Sequence, residues 1–391
     1  MGVPRSSRSV KDLVREAKYY SSIAVDLAQY ALATGSKAAA MEVLQIEERI
    51  DSLLWELFEK AGLAVRGPGE AGLAVAIVEL GRAFDRVSDA AGDLAGLVIR
   101  GYPVHEYIKG IVTCCGEVVR LVKSSRDSEE VGAKVDVLLV RRGENYILAP
   151  KNPRIREGDL LVIRGTPEEV AQAARYLEEP GEREPFQADQ SFLSALAGDE
   201  LAYSLLRLKT LSRLMLEISF HALIYVDRSL AALIPELESV VDTIYLDVLE
   251  YSYMASIPSR ARDMVSIAIY ADAMETISDA SVLVANIVLS PDFEEYSEIL
   301  GEAVEEAEEG YARLRVTERL DGVPLRSLDL ADAGVEVLAV KSGSTWILPV
   351  PPDYVLKEGD IVLVKYFKET DKAEDEILRI LEEAGFELVE D

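Results

Sequence analysis

Apolar residues recur at spacings of three and four through much of the first 123 residues and again beyond residue 191. Ile77, Leu80, Phe84, Val87, Ala91 and Leu94 fall on one helical face, and Ile46, Ile50, Leu53 and Leu57 do so on the segment before it. The period then changes. Val135–Val140 and Asp159–Ile163 are short β-rich runs, and similar runs return at 335–340 and 358–363. Arg142-Gly143-Glu144-Asn145 and Lys341-Ser342-Gly343-Ser344 supply turns between strands. Glu168–Glu179 and Asp371–Ala384 read as amphipathic helices that close each strand-rich stretch.

The order of these elements is a tandem repeat. Glu47-Glu48-Arg49-Ile50-Asp51 resembles Glu238-Ser239-Val240-Val241-Asp242, at 238 − 47 = 191. Asp85–Ala90 resembles Glu275–Ala280, at 275 − 85 = 190. Val135–Val140 resembles Val335–Val340, at 335 − 135 = 200, and Glu157–Val162 resembles Glu358–Leu363, at 358 − 157 = 201. Four matches in one order make a duplication the simplest reading. The jump in offset predicts about ten extra residues in the second copy, between its helices and its first matched strand. The first copy lacks an obvious counterpart of Leu320-Asp321-Gly322-Val323-Pro324-Leu325, so its opening strand and helix are expected to be shortened or lost. Glu178–Pro185 is charged, with two prolines and a glycine, and reads as a linker. The expected fold class is α+β and multidomain, with two antiparallel helical bundles (9–123 and 191–312) alternating with two small α/β domains (124–178 and 313–391).

Composition narrows the function. A net charge of −29 over 391 residues repels nucleic acid and anionic lipid, and leaves cations and basic protein surfaces as partners. Cys114 and Cys115 are adjacent, without CxxC spacing, which suits a reducing cytoplasmic setting better than a zinc site. Histidine is limited to His105 and His221, and no Ser–His–Asp, Cys–His or Walker pattern occurs, so an enzyme is not expected. Asn is limited to Asn145, Asn152 and Asn286 beside abundant Glu, Arg and Lys, a thermophile-like balance. The most apolar stretch, Ala71–Leu80, contains Glu79 and is short of the roughly 20 residues that span a bilayer. Met1–Val10 is basic without an apolar signal core, so a cytoplasmic protein is expected.

Two constellations carry candidate chemistry. Glu47/Asp51, Asp85/Asp89, Glu238/Asp242 and Glu275/Asp279 are acidic pairs at helical i,i+4 spacing. Asp85 and Asp89 sit roughly 130–170° from the apolar centre of their helix, while Glu47 and Asp51 flank theirs by roughly 70–110°. Each copy can therefore gather one exposed acidic patch, either a solvated face or a site for a divalent metal such as Mg²⁺, Ca²⁺, Mn²⁺ or iron. Arg141, Arg142, Arg154 and Arg156, with Lys151 and Arg164, form a basic concentration that either holds an anionic ligand or balances charge. Gly67-Pro68-Gly69-Glu70-Ala71-Gly72 matches GxGxxG literally but follows a helix, so a helix–helix loop is expected and no nucleotide motif is accepted. Glu157-Gly158-Asp159 and Glu358-Gly359-Asp360 read as turns with glycine at positive φ. Tyr19, Tyr20, Tyr30, Tyr245, Tyr251 and Tyr253 read as helix-packing residues.

On these motifs the helical halves resemble PhoU-type domains, three-helix bundles with (Glu/Asp)-x-x-x-Asp on adjacent helices, carried here by Asp85–Asp89 and Glu275–Asp279. The α/β parts resemble TrkA-C modules, also called RCK C-terminal domains, on Val335–Gly343, Trp346-Ile347-Leu348-Pro349 and Lys357–Val364. The resemblance implies metal clusters on the bundle surface, a small ligand for the TrkA-C part, and homodimerisation through it. It further implies a cytoplasmic regulator of potassium transport whose partner is a membrane transporter or channel subunit. The alternative it implies is a metal-dependent regulator of phosphate uptake. PhoU proteins place two bundles side by side, whereas this sequence interposes a TrkA-C-like segment.

Overall fold

A computed structural model describes residues 8–65, 71–113, 118–129, 131, 135–148, 153–178, 199–254, 261–297, 300, 309–330, 334–347, 350–351, 353–367 and 371–389. The GxGxxG glycines at 67 and 69, both cysteines, Lys151 and most of the expected linker lie outside these residues.

The first bundle is α1 (Val10–Thr34), α2 (Lys37–Ala64) and α3 (Ala71–Ile99). Ser9 opens α1 with a capping box: its hydroxyl accepts from Asp12 N, and the Asp12 carboxylate accepts from Ser9 N. Gly35, at φ 73°, ends α1 and lets α2 begin two residues later. The apolar positions read from the sequence are the core: Ile46, Ile50, Leu57, Leu80, Phe84, Ala91 and Leu94 are all buried. The short helix α4 (Glu106–Thr113) leads to the first sheet, with strands β1 (Val118–Lys123), β2 (Asp136–Arg142), β3 (Asn145–Leu148) and β4 (Leu160–Gly165), closed by α5 (Pro167–Leu177). The second copy repeats this with α6 (Glu200–Tyr225), α7 (Arg228–Met254) and α8 (Ala261–Leu289). Its sheet has β5 (Glu309–Val316), β6 (Val335–Ser342), β7 (Thr345–Ile347) and β8 (Ile361–Phe367), then α9 (Asp371–Ala384) and β9 (Phe386–Leu388).

Both sheets are antiparallel and share one topology, β3-β2-β4-β1 and β7-β6-β8-β5, with β9 added at the edge of the second. The register matches in detail. A bulge interrupts β2 between Val137 and Leu139 and β6 between Val337 and Ala339. An isolated bridge joins Ser128 to Ile155 in one copy and Pro324 to Val355 in the other. Val135–Val140 and Val335–Val340 thus hold the same topological place, as the repeat requires.

Three expectations shift. β1 begins at Val118 and β5 at Glu309, inside the segments read as helical, because these strands are short and their apolar residues lack a clear period of two. The opening strand of the first copy is shortened rather than lost: Val119 faces Arg164 as Tyr311 faces Lys365, an offset of 311 − 119 = 192. The insertion therefore falls after the first strand, as the 3₁₀ turns Glu318–Leu320 and Leu325–Leu328. Among the tyrosines, Tyr20 and Tyr30 are buried, but Tyr253 is 73% exposed.

The Glu-Gly-Asp segments are turns, with Gly158 at φ 87° and Gly359 at φ 85°. Each aspartate is buried and braces the turn by accepting from the backbone three residues earlier, Arg156 N and Lys357 N. Asp159 is further held by the Arg142 guanidinium at 2.6 and 2.8 Å. In the second copy the tyrosine hydroxyl of Tyr354 donates to Asp360 instead, at 2.7 Å.

Although a sheet lies between the bundles in sequence, the bundles are neighbours in space. α3 packs along α8, and the long helices of both copies share one core. Each copy also clamps the central helix of the other. His105 N donates to Ser266 Oγ at 3.0 Å and the Arg262 guanidinium lies over the Tyr102 ring, at the start of α8. At the start of α3, a Cβ at Gly72 would lie 3.2 Å from the ring of Tyr296, which follows α8. The two central helices therefore run antiparallel.

Candidate functional site

The acidic pairs lie close enough to influence one another within each copy. Glu47 is half-buried and feels Asp89, Asp51 and Asp93; burial first, then these neighbours, push its carboxyl up to about 7. Burial and Asp51 also raise Asp85, and burial with Asp85, Asp51 and Asp93 raises Asp89. In the second copy burial, then Asp279, Asp272 and Asp242, lift Glu275 to about 7, and burial with Asp242 and Asp279 raises Glu238. Asp93 and Asp272 extend the patches by one carboxylate each. Asp93 continues the i,i+4 ladder from Asp89, a signal present in the sequence.

The donor set, all carboxylate, suits a hard cation by charge and chemistry. Among the described residues, however, no group of three or more His, Cys, Asp or Glu is arranged to hold a metal ion.

The two patches are unequal. Arg86 of α3 pairs with Asp279 across the α3–α8 interface, and its charge opposes the rise at Glu275. The position equivalent to Arg86 in the second copy, by the offset of 190, is Thr276, so no arginine is returned. A second difference is Gly92, where a Cβ would lie 2.4 Å from Glu47 Oε2. The glycine lets this carboxylate lie against α3; the equivalent of Gly92 is Val282.

The four arginines do not form one anion site. Neighbouring residues of a strand point to opposite faces, and Arg141 reaches Glu42 and Gln45 of α2 while Arg142 grips Asp159. Arg154 lies 3.3 Å from Glu129 at the surface. Arg156 bonds Asp159 through its backbone N–H. Sequence proximity was a poor guide because alternation splits the cluster.

The same contacts fix the sheets to the bundles. Arg141 with Gln45, and Lys341 with Glu236, are equivalent pairs, at 341 − 141 = 200 and 236 − 45 = 191. Behind them Tyr146 packs edge-on to Tyr20 beneath the Arg49 guanidinium, and Trp346 lies under Lys341. Each sheet is docked on the second helix of its own bundle in the same way.

A cleft between α1 and α6 was not foreseen. It encloses about 230 Å³ and its lining is two-fold symmetric. Lys18, Ser21, Val25 and Asp26 of α1 face Lys209, Ser212, Leu216 and Glu217 of α6, each pair 191 residues apart. The floor is Phe84 and Val87 of α3 with Met274 and Ile277 of α8, each pair 190 apart. Arg164 and Lys365 enter from the two sheets, 201 apart. Continuing the repeat alignment into the first helices exposes this shared Lys-x-x-Ser-x-x-x-x-(Asp/Glu) pattern.

Inside the cleft, Arg213 donates to Glu217 at 2.8 Å, Tyr311 OH donates to it at 3.3 Å, and Lys365 lies 3.9 Å away. Burial raises Glu217, but these groups outweigh it and hold the carboxyl below its usual range. The Arg213 side chain is more than half exposed, so solvent screens its attraction to Glu217. Burial pushes Asp26 up, against the pull of Arg213, Arg164 and Lys209. Lys209 is buried and donates to the Ile111 carbonyl at 2.9 Å. Phe220 stacks on Phe84 at 5.7 Å with Lys18 above it.

Residues 14–98 and 205–288, the two helical bundles, match the PhoU domain. The crystal structure of PhoU from Pseudomonas aeruginosa aligns at 15% identity and a TM-score of 0.40, covering 71% of this chain and 92% of that one. The GsuK channel bound to NAD aligns at 11% identity and a TM-score of 0.18, covering 82% and 70%, and the GsuK RCK domain at 10% and 0.17, covering 82% and 85%. No curated protein matches the chain. The family match thus falls once on each bundle. Among the described residues no helix is long and apolar enough to cross a membrane.

Proposed function

We propose that this protein is a regulatory subunit that senses a small ligand and acts on a membrane potassium transporter or channel from the cytoplasmic side. The observation that carries the reading is the equivalent docking of both sheets on their bundles, through Arg141 with Gln45 and Lys341 with Glu236. A sheet tied to a long helix at the same point twice transmits a shift in one as a shift in the other, which a sensor needs and a catalyst does not. The TrkA-C resemblance of the sheets, strongest over Val335–Gly343 and Lys357–Val364, supplies the potassium assignment. Pairing of two chains through the open sheet edges completes the reading, with β3 and β7 as the candidate strands.

The test is rubidium flux through the source organism's own potassium transporters in proteoliposomes, with and without the protein. A change in flux with equimolar protein supports the reading; identical flux for every transporter overturns it. Light scattering checks the pairing, which a monomeric mass overturns.

A second reading is favoured by the carboxyls of Glu47 and Glu275, held near 7 by burial and by their acidic neighbours. It is a metal-dependent regulator of phosphate uptake, with divalent cations on Glu47, Asp51, Asp85 and Asp89 and on Glu238, Asp242, Glu275 and Asp279. Phosphate uptake that responds to deletion of the protein, with potassium uptake unchanged, selects it over the first.

A further inference from the structure

We infer that the symmetric cleft between α1 and α6 binds an organic phosphate, at a site shared by both copies. The argument begins with charge. The chain carries −29, yet the cleft is lined by Lys18, Lys209, Arg164, Lys365 and Arg213 with Asp26 and Glu217, while Arg164 also pairs with Asp136 and Glu336 acts on Arg213 from outside. In a protein this acidic, a concavity with excess positive charge runs against the surrounding field, and it attracts anions where the rest of the surface repels them. Low-dielectric walls strengthen that attraction.

The second element is shape. The cleft encloses about 230 Å³, where a single water needs roughly 10–15 Å³ on the same scale, so it exceeds what an inorganic ion fills. Its floor is apolar, with Phe84 stacked on Phe220 beside Val87, Met274 and Ile277. An apolar floor with a few convergent charged groups is the usual make-up of a small-molecule site. The apolar floor suits the body of an organic molecule, while lysine and arginine suit a phosphate.

The third element is position. A ligand here touches α1 and α3 of one copy, α6 and α8 of the other, and residues of both sheets through Arg164, Tyr311 and Lys365. It would favour one relative placement of the two halves, so occupancy is reported to both sheets at once. The inference deepens the sensing reading and rests on it for its regulatory meaning, but not for the binding itself.

The test uses the full chain and measures binding by calorimetry and thermal melting. Probes are AMP, GMP, CMP and UMP, with adenosine and inorganic phosphate as the separated parts. At least one nucleotide is expected to bind saturably and at least tenfold more tightly than either part. Lys18→Met with Lys209→Met should weaken it at least tenfold. Asp26→Asn, which removes a negative charge, should tighten it several-fold and keeps the idea testable where the lysine variant misfolds. No saturable nucleotide binding, affinity no better than that of phosphate, or affinity indifferent to all of these substitutions overturns the site. Because binding is read on the isolated chain and flux in proteoliposomes, failure of one leaves the other result standing.

Discussion

Arg86 of α3 forms an ion pair with Asp279 of α8, so a residue inside the acidic motif of one copy neutralises part of the motif of the other. Both side chains are about a third exposed, which limits the pair to about 0–1 kcal/mol of stability. Its larger effect is on titration. Arg86→Gln should cost no more than about 1 kcal/mol and raise the Glu275 pKa further, since Arg86 now opposes that rise. NMR titration of the Glu275 carboxyl checks it, and an unmoved pKa refutes the coupling.

The acidic patches set the sign of the pH dependence near neutrality. Glu47 and Glu275 sit at about 7 in the fold, against an ordinary glutamate value of 4.5. A raised carboxyl pKa means the folded state binds protons more tightly, so this stabilisation is complete below 4.5 and lost as pH climbs through 7. The melting temperature should therefore rise on acidification from pH 8 to pH 5. Glu47→Gln with Glu275→Gln should flatten that slope. Asp159 works oppositely. Burial raises it, but Arg142 and the Arg156 N–H prevail and lower its pKa. Its contribution is present above the unfolded pKa and lost as pH falls through the lower, folded one, so stability should turn down again in stronger acid.

Divalent cations should substitute for protons on the acidic patches. Mn²⁺ or Mg²⁺ at pH 8 should raise the melting temperature of the wild type, and Asp89→Asn with Asp279→Asn should abolish the rise. Gly92→Ala should weaken the first patch alone, because its Cβ takes the place of the Glu47 carboxylate. Equal cation response in all variants would leave the patches as solvated faces.

The buried turn aspartates should be the costly positions of the sheets. Asp159→Ala removes the buried carboxylate that Arg142 and the Arg156 N–H bond, and should cost about 2–3 kcal/mol, since Arg142 is left partly solvated. Tyr354→Phe removes one hydrogen bond to Asp360 and should cost about 1 kcal/mol. Urea unfolding measures both. A smaller loss for Asp159→Ala than for Tyr354→Phe would contradict the packing described.

Periodicity revealed the helices because burial of Ile46, Phe84 and Leu94 needs only a local 3.6-residue pattern. The acidic patches were legible for the same reason, since i,i+4 carboxylates share a face whatever the tertiary fold. The opening strands were not, because Val118–Lys123 and Glu309–Val316 mix apolar with charged residues in no clear period of two. The fate of Arg141 and Arg142 was hidden because it depends on what each face of the sheet meets. The cleft was half legible. Lys18 and Asp26 align with Lys209 and Glu217 by the repeat offset alone, but only the packing of α3 on α8 brings them face to face.

That packing has a consequence for behaviour on dilution. In a protein assembled from two separate chains, any cavity on the two-fold axis empties as the partners dissociate. Here both walls, Lys18 and Lys209 included, belong to one covalent chain and are clamped at Ser266 and Gly72. The cleft therefore persists at any concentration the cell maintains, and each half is free to diverge, as Arg86 and Thr276 already have.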